Sequence, residues 1–238
     1  MTLDDILAAA HPVLPVLVIE QPDHALPLAE TLVAQGVHVL EITLRTEAAL
    51  AVINSIARHV PEAIVGAGTM LTPEQLQHVK DAGAQFAVSP GITARLLTAA
   101  QRLKVALLPG VATASEVQLA LECDYERLKF FPAEAAGGPA VLRALYGPFP
   151  QVRFCPTGGI HAQSAPAYLK LPNVACVGGS WLAPKELMDQ QFPLITCESY
   201  VTMASDSALS IVTIRFCLLK RLPRSDITGE LMASRLIS

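Results

Sequence analysis

Lys129 lies in Arg127-Leu128-Lys129-Phe130-Phe131-Pro132-Ala133, a short apolar, aromatic-rich run that reads as a buried strand. Lysine is almost never buried without a partner or a task. A low-dielectric interior disfavours a charged amine, and an uncharged amine is a nucleophile whose usual chemistry is a Schiff base with a carbonyl substrate. Two plainer readings stand beside that one: a lysine paired with a buried carboxylate, or one snorkelling from a strand end. Glu41 is a matching anomaly, a carboxylate inside Val39-Leu40-Glu41-Ile42. A buried carboxylate either pairs, here with Lys129 or Arg45, or moves protons. Side chains alternate along a strand, so Glu41, Thr43 and Arg45 share a face. Arg45 offers a fork of donors suited to a carboxylate, although a strand-end surface arginine would look the same.

Two glycine pairs, Gly158-Gly159 after Pro156-Thr157 and Gly178-Gly179 before Ser180, are more specific together than apart. Glycine lets a ligand approach the backbone closely, and a helix that follows aims free N–H groups at an anion. Alone, a Gly-Gly pair is usually only a turn. The six histidines are scattered without ligand spacing, which argues against a metal site. The five cysteines make an odd count with no CxxC, as expected of reduced thiols in a cytoplasmic protein. Cys155 and Cys176 fall in apolar runs and read as small core residues.

Eight short apolar runs must position these groups: residues 13–20, 38–44, 63–69, 86–90, 105–111, 127–133, 153–159 and 174–180. Their starts are 25, 25, 23, 19, 22, 26 and 21 residues apart. Helical patterns fill most gaps, as at 25–35, 47–58, 73–82 and 94–102. Thr72-Pro73-Glu74-Gln75 and Thr113-Ala114-Ser115-Glu116 carry capping-box spacing. Apolar strands alternating with helices predict an α/β fold with a covered parallel sheet, and eight units are the number that closes a (β/α)8 TIM barrel. A doubly wound open sheet is the runner-up, but Glu20-Gln21-Pro22-Asp23 is no glycine-rich dinucleotide turn. In such a barrel the working groups sit at the C-terminal strand ends. Glu41, Arg45, Gly66-Ala67-Gly68-Thr69, Ser89-Pro90-Gly91, Lys129 and both glycine pairs fall there. Loops after the last two strands are this fold's frequent phosphate site.

The chain has 238 residues, 52% of them hydrophobic, and a net charge of -4. That allows one large domain and argues against a phosphate-backbone partner, which needs a basic surface. The acidic start, Met-Thr-Leu-Asp-Asp-Ile, is unlike a signal peptide. The apolar stretch 207–219 is too short to span a bilayer and contains Arg215. No membrane or nucleic-acid partner is expected.

Four motifs together resemble the 2-keto-3-deoxy-6-phosphogluconate (KDPG) aldolases, a family that also handles 4-hydroxy-2-oxoglutarate. They are Glu41-Ile42-Thr43-Leu44-Arg45-Thr46-Glu47, Val65-Gly66-Ala67-Gly68-Thr69, Lys129-Phe130-Phe131-Pro132-Ala133-Glu134 and Arg153-Phe154-Cys155-Pro156-Thr157-Gly158-Gly159-Ile160. The similarity runs from about Pro15 to about Met188. It implies a class I aldolase of the Entner-Doudoroff pathway on a (β/α)8 barrel, a homotrimer without a metal or other cofactor. It would cleave KDPG to pyruvate and glyceraldehyde 3-phosphate, and 4-hydroxy-2-oxoglutarate to pyruvate and glyoxylate. Lys129 matches the Schiff-base lysine and Glu41 the proton-transferring glutamate. Arg45, helped by Thr69, matches the carboxylate binder. Pro90 and Phe131 match residues shaping the pyruvate pocket, and Thr157 a substrate-contacting threonine. Gly158, Gly159, Gly179 and Ser180 match the phosphate site.

The resemblance stops near Gln190, which divides the chain into an aldolase barrel, 1–190, and a divergent tail, 191–238. Pro193 and Pro223 interrupt the tail and no clean helical period crosses it, so it is not expected to supply the family's last helix. Three rival functions follow: an aldolase for the 6-phosphogalactonate epimer, a phosphosugar isomerase or epimerase on the same fold, and a non-catalytic phosphometabolite-binding barrel disabled by its ending.

Overall fold

The structure, a computed structural model, describes residues 1–183. The tail 191–238, with Cys197 and Cys217, lies outside the described residues. Helix α1, Leu3–Ala10, opens the chain and was not expected from the sequence. Its signal was present: Thr2 and Asp5 form a capping box, each side chain closing on the other's backbone N–H.

The strands are β1 (Val13–Leu17), β2 (Val39–Thr43), β3 (Ile64–Gly68), β4 (Phe86–Val88), β5 (Ala106–Leu108), β6 (Gly110–Val111), β7 (Arg127–Phe130), β8 (Arg153–Pro156) and β9 (Val177–Gly179). Between them come α2 (Ala25–Ala34), α3 (Ala49–His59), α4 (Pro73–Asp81), α5 (Ala94–Leu103), α6 (Ala114–Glu122), α7 (Gly138–Tyr146) and α8 (Ala165–Leu169). Both expected capping boxes form. Thr72 and Gln75 close the start of α4 with Pro73 at its first position, and Thr113 and Glu116 close the start of α6. The strands are shorter than the apolar runs suggested, because several runs continue into the turns that carry polar groups. The run 105–111 is two strands rather than one, since Pro109 has no N–H for the ladder.

The fold is α/β with a curled parallel sheet. Six strands pair in the order β5-β4-β3-β2-β1-β9, and three more in the order β6-β7-β8, all in parallel. Parallel bridges Phe154↔Val174 and Thr157↔Gly178 join the β8 side to the β9 side. At the other junction, the Pro109 carbonyl between β5 and β6 accepts the Lys129 N–H at 2.8 Å.

Alternation along the strands separates two cores. Leu40, Ala87, Leu107 and Phe154 face outward into the large cluster between sheet and helices. Val39, Phe86, Val88, Leu108 and Cys155 face inward, with Leu14 and Cys176. Ile6, Leu7 and Ala10 of α1 pack into this inner cluster. The helix immediately precedes β1, so it fills the N-terminal end of the curl. An Arg127–Asp4 ion pair ties it to β7. The opposite, C-terminal end is left to the polar groups.

Candidate active site

Lys129 is the third residue of β7 and Glu41 the third of β2. Both face inward and both are buried, at 5% and 1% exposure. Lys129 Nζ donates to Glu41 Oε1 at 3.4 Å, so Glu41 is the partner of Lys129 rather than of Arg45. The ammonium nitrogen also lies 5.3 Å from the centre of the Phe131 ring, within cation–π range. Glu41 Oε2 is buried with no hydrogen-bond partner among the described residues. An unmatched buried acceptor is unfavourable by itself and is set to receive a proton or a donor from a ligand.

Room for this carboxylate comes from Gly68, the last residue of β3. A Cβ on Gly68 would stand 2.2 Å from Glu41 Oε1. The sequence shows Gly68 only as part of the strand ending Gly66-Ala67-Gly68-Thr69, because its constraint exists only once β2 and β3 are side by side. Beside Lys129, its ladder partner Cys155 and neighbouring Cys176 hold their sulfurs 3.5 Å apart. The bond that Cys176 donates to Cys155, with burial, pushes the Cys176 thiol pKa well up. Both cysteines are core thiols, as their apolar runs suggested.

Arg45 sits in the turn after β2 with its side chain exposed, and its Nε donates to Thr69 Oγ1 at 3.5 Å. Thr69 has φ 63, an unusual conformation for a β-branched residue. Such strain, of order 1–3 kcal/mol, collects at functional sites. Pro90 lies in the turn after β4, pinned by the Ser89 hydroxyl donating to the Gly91 carbonyl at 2.7 Å. Gly110 passes so close that a Cβ there would meet the Pro90 backbone at 2.4 Å, and Gly110 is the ladder partner of Lys129.

Thr157 is buried after β8, bridged to Gly178. Gly158 and Gly159 have φ of 104° and 79°. This left-handed region suits glycine. Gly158 lies against the Phe131 ring and Gly159 against the Glu134 side chain. The N–H groups of Gly158 and Gly159 donate to no acceptor among the described residues. One expectation needs correction: no helix follows these glycines directly, since α8 begins only at Ala165 and has 5 residues. Any anion held here would meet the loop's own amides. Gly178 and Gly179 also have a packing reason to be glycine, since a Cβ would strike Thr157 Oγ1 and the Trp181 ring respectively. Ser180 is exposed just beyond β9.

Of the eleven residues singled out, Glu41 and Lys129 project from within β2 and β7, and the other nine lie at or beyond the C-terminal ends of strands. Glu41, Lys129, Phe131 and Gly158 form one chain of contacts, Arg45 and Thr69 another, and Thr157 links the first to β9. Chemically the centre is an amine able to pass its proton to a carboxylate, beside a fork of donors and a loop of free amides. Among the described residues, no three His, Cys, Asp or Glu side chains group as a metal site requires, and no helix is long and apolar enough to cross a membrane.

Residues 3–196 match the family model described as KDPG and KHG aldolase. The KHG/KDPG aldolase of Escherichia coli is 54% identical over 178 residues, 75% of this chain and 84% of that protein. The 2-dehydro-3-deoxy-phosphogluconate aldolase of Zymomonas mobilis is 53% identical over 182 residues, 76% of this chain and 86% of that one. A crystal structure of the 2-keto-3-deoxy-6-phospho-gluconate aldolase of Zymomonas mobilis superposes with TM-score 0.76 at 49% identity, covering 79% of this chain and 93% of that one. The KDPG aldolase of Legionella pneumophila, solved with pyruvate captured as a covalent carbinolamine, gives TM-score 0.75 at 52% identity, covering 76% and 88%.

Proposed function

Because the chain belongs to the KDPG and KHG aldolase family of carbon–carbon lyases, we propose that it cleaves KDPG to pyruvate and glyceraldehyde 3-phosphate through an imine on Lys129. The observation that carries this reading is the buried Lys129–Glu41 pair, 3.4 Å apart, with the second carboxylate oxygen unengaged. The relatives are named aldolases, which favours cleavage over the isomerase and binding-only readings.

The mechanism begins with proton transfer from Lys129 to Glu41, which leaves a neutral amine. The amine adds to C2 of the keto acid and forms a carbinolamine. Glu41 returns a proton to the C2 hydroxyl, water leaves, and a protonated imine results. Glu41 then takes the C4 hydroxyl proton, directly or through a water. The C3–C4 electron pair flows into the imine, giving an enamine and glyceraldehyde 3-phosphate. Protonation at C3 and addition of water release pyruvate and restore the amine. Arg45 and Thr69 hold the carboxylate, Pro90, Phe131 and Thr157 shape the pocket around the pyruvyl half, and Gly158, Gly159, Gly179 and Ser180 hold the phosphate. Fixing both substrate ends leaves the reacting bond little freedom, which is the entropic part of the catalysis. The same machinery would cleave 4-hydroxy-2-oxoglutarate, which lacks a phosphate, to pyruvate and glyoxylate.

We further propose that the curled sheet is a (β/α)8 barrel, with β5 and β6 acting as one strand. The barrel domain would end near residue 190, and the protein would work as a cytoplasmic homotrimer. Release of pyruvate from KDPG, followed with lactate dehydrogenase, tests the assignment. Turnover by the intact chain with loss in Lys129→Ala supports it, and a folded chain that releases no pyruvate overturns it.

A further inference from the structure

Behind the glycine loop lies a polar pair that the mechanism does not use. Tyr168, on α8, is completely buried. A buried phenol needs a partner for its hydroxyl. Here it donates to Glu134 Oε1 at 2.8 Å. That bond, after burial itself, pushes the Tyr168 pKa well up, so the hydroxyl stays a donor.

Glu134 in turn grips the loop twice. Its backbone N–H donates to the Gly158 carbonyl at 3.0 Å. Its Cβ and Cγ lie so near Gly159 that a Cβ on that glycine would come within 2.8 Å of both. The space for the pair is itself arranged. A Cβ on Gly138, the first residue of α7, would sit 3.3 Å from Tyr168 Oη and 4.0 Å from Glu134 Oε2. Gly137 and Gly138, with φ of 107° and 63°, turn the chain away at that point. A carboxylate that would otherwise move freely in solvent is therefore tied down to a buried anchor, with its stem pressed under the loop.

We propose that Tyr168 and Glu134 are positioning residues that preset the Gly158-Gly159 loop for the phosphate of the substrate. Neither touches the reacting atoms. Tyr168 fixes the Glu134 side chain, whose stem bears on Gly159 while the Glu134 backbone holds the Gly158 carbonyl, so the anion need not order the loop on binding. The pair therefore acts on affinity for phosphorylated substrates and leaves imine chemistry untouched. This inference rests on the phosphate-loop reading above.

The test compares substrates with and without a phosphate. Tyr168→Phe keeps the ring and its packing but loses the donor; Glu134→Ala, on an exposed loop residue, removes the acceptor and the stem. Each is expected to raise KM for KDPG about 10-fold, as loss of a hydrogen bond to a charged group does, with kcat within about twofold. The rate of imine trapping with pyruvate, which has no phosphate, should equal that of the parent chain. Glu134→Gln, which can still accept from Tyr168 and keeps the stem, should restore the parent KM. An unchanged KM for KDPG in either folded variant overturns the proposal, as does an equal loss with pyruvate. If the parent chain does not cleave KDPG at all, it is the assigned function that fails, a result separate from either.

Discussion

The two ends of the inner face of the sheet are built by opposite rules. Towards the N-terminal end, α1 inserts Ile6, Leu7 and Ala10 into the apolar cluster that holds Leu14, Val39 and Phe86. These are buried apolar side chains, and their value is burial. Towards the C-terminal end, β2, β7 and the turn after β8 present Glu41, Thr43, Lys129 and Thr157, all buried, one with an unmatched oxygen, and a strained threonine, Thr69, follows β3. The polar end accepts local cost for reactive geometry, and the apolar end supplies the stability that makes this tolerable. Changes at the two ends should therefore separate cleanly into activity and stability.

The largest separation is expected at Lys129. Lys129→Ala should reduce turnover of KDPG by about 10³-fold or more, since among the described residues it is the only buried lysine. Steady-state kinetics checks this, and retention of most activity would contradict the assignment. At the apolar end, Phe86→Ala should lower unfolding free energy by about 3–5 kcal/mol, read from denaturant titration. Turnover per folded molecule should stay near that of the parent chain; a comparable loss of kcat would mean that the two ends are not independent. Gly68→Ala crosses the boundary. Its methyl group would displace the Glu41 carboxylate, and kcat should fall by about 10²-fold, the usual effect of misplacing a catalytic group by about 1 Å. Arg45→Ala should raise KM by about 10- to 100-fold, from loss of a charged hydrogen bond to the keto acid carboxylate, with little change in melting temperature. An unchanged KM would remove Arg45 from the site. The smallest effect belongs to the outer layer. Thr113→Ala opens the α6 capping box and should cost about 1 kcal/mol of stability with kinetics unaltered.

The same contrast explains what could be read in the sequence. Lys129 and Glu41 stood out because each is a lone charge in an apolar run, which only pairing or chemistry explains. The boxes at Thr72 and Thr113 were legible because their partners are three residues away. Alternating apolar runs gave the parallel α/β character. Helix α1 is less legible, although Thr2-Leu3-Asp4-Asp5 carries the same kind of cap, because the helix it starts has only 8 residues before the approach to the first strand. The break at Pro109 was hidden inside a continuous apolar run. The tasks of Gly68 and of the Tyr168–Glu134 pair had no local signal. Their constraints join residues 27 and 34 positions apart, and arise only when strands and loops meet. Proximity along the chain was readable, and proximity across the fold had to be seen.

The central claim is that the buried amine at the polar end is the nucleophile. Borohydride reduction in the presence of pyruvate, followed by mass mapping of peptides, tests it most directly. The account predicts a reduced pyruvyl adduct on Lys129 alone, absent from Lys129→Ala. A folded sample that gives no adduct, or one carried by a different lysine, would contradict it.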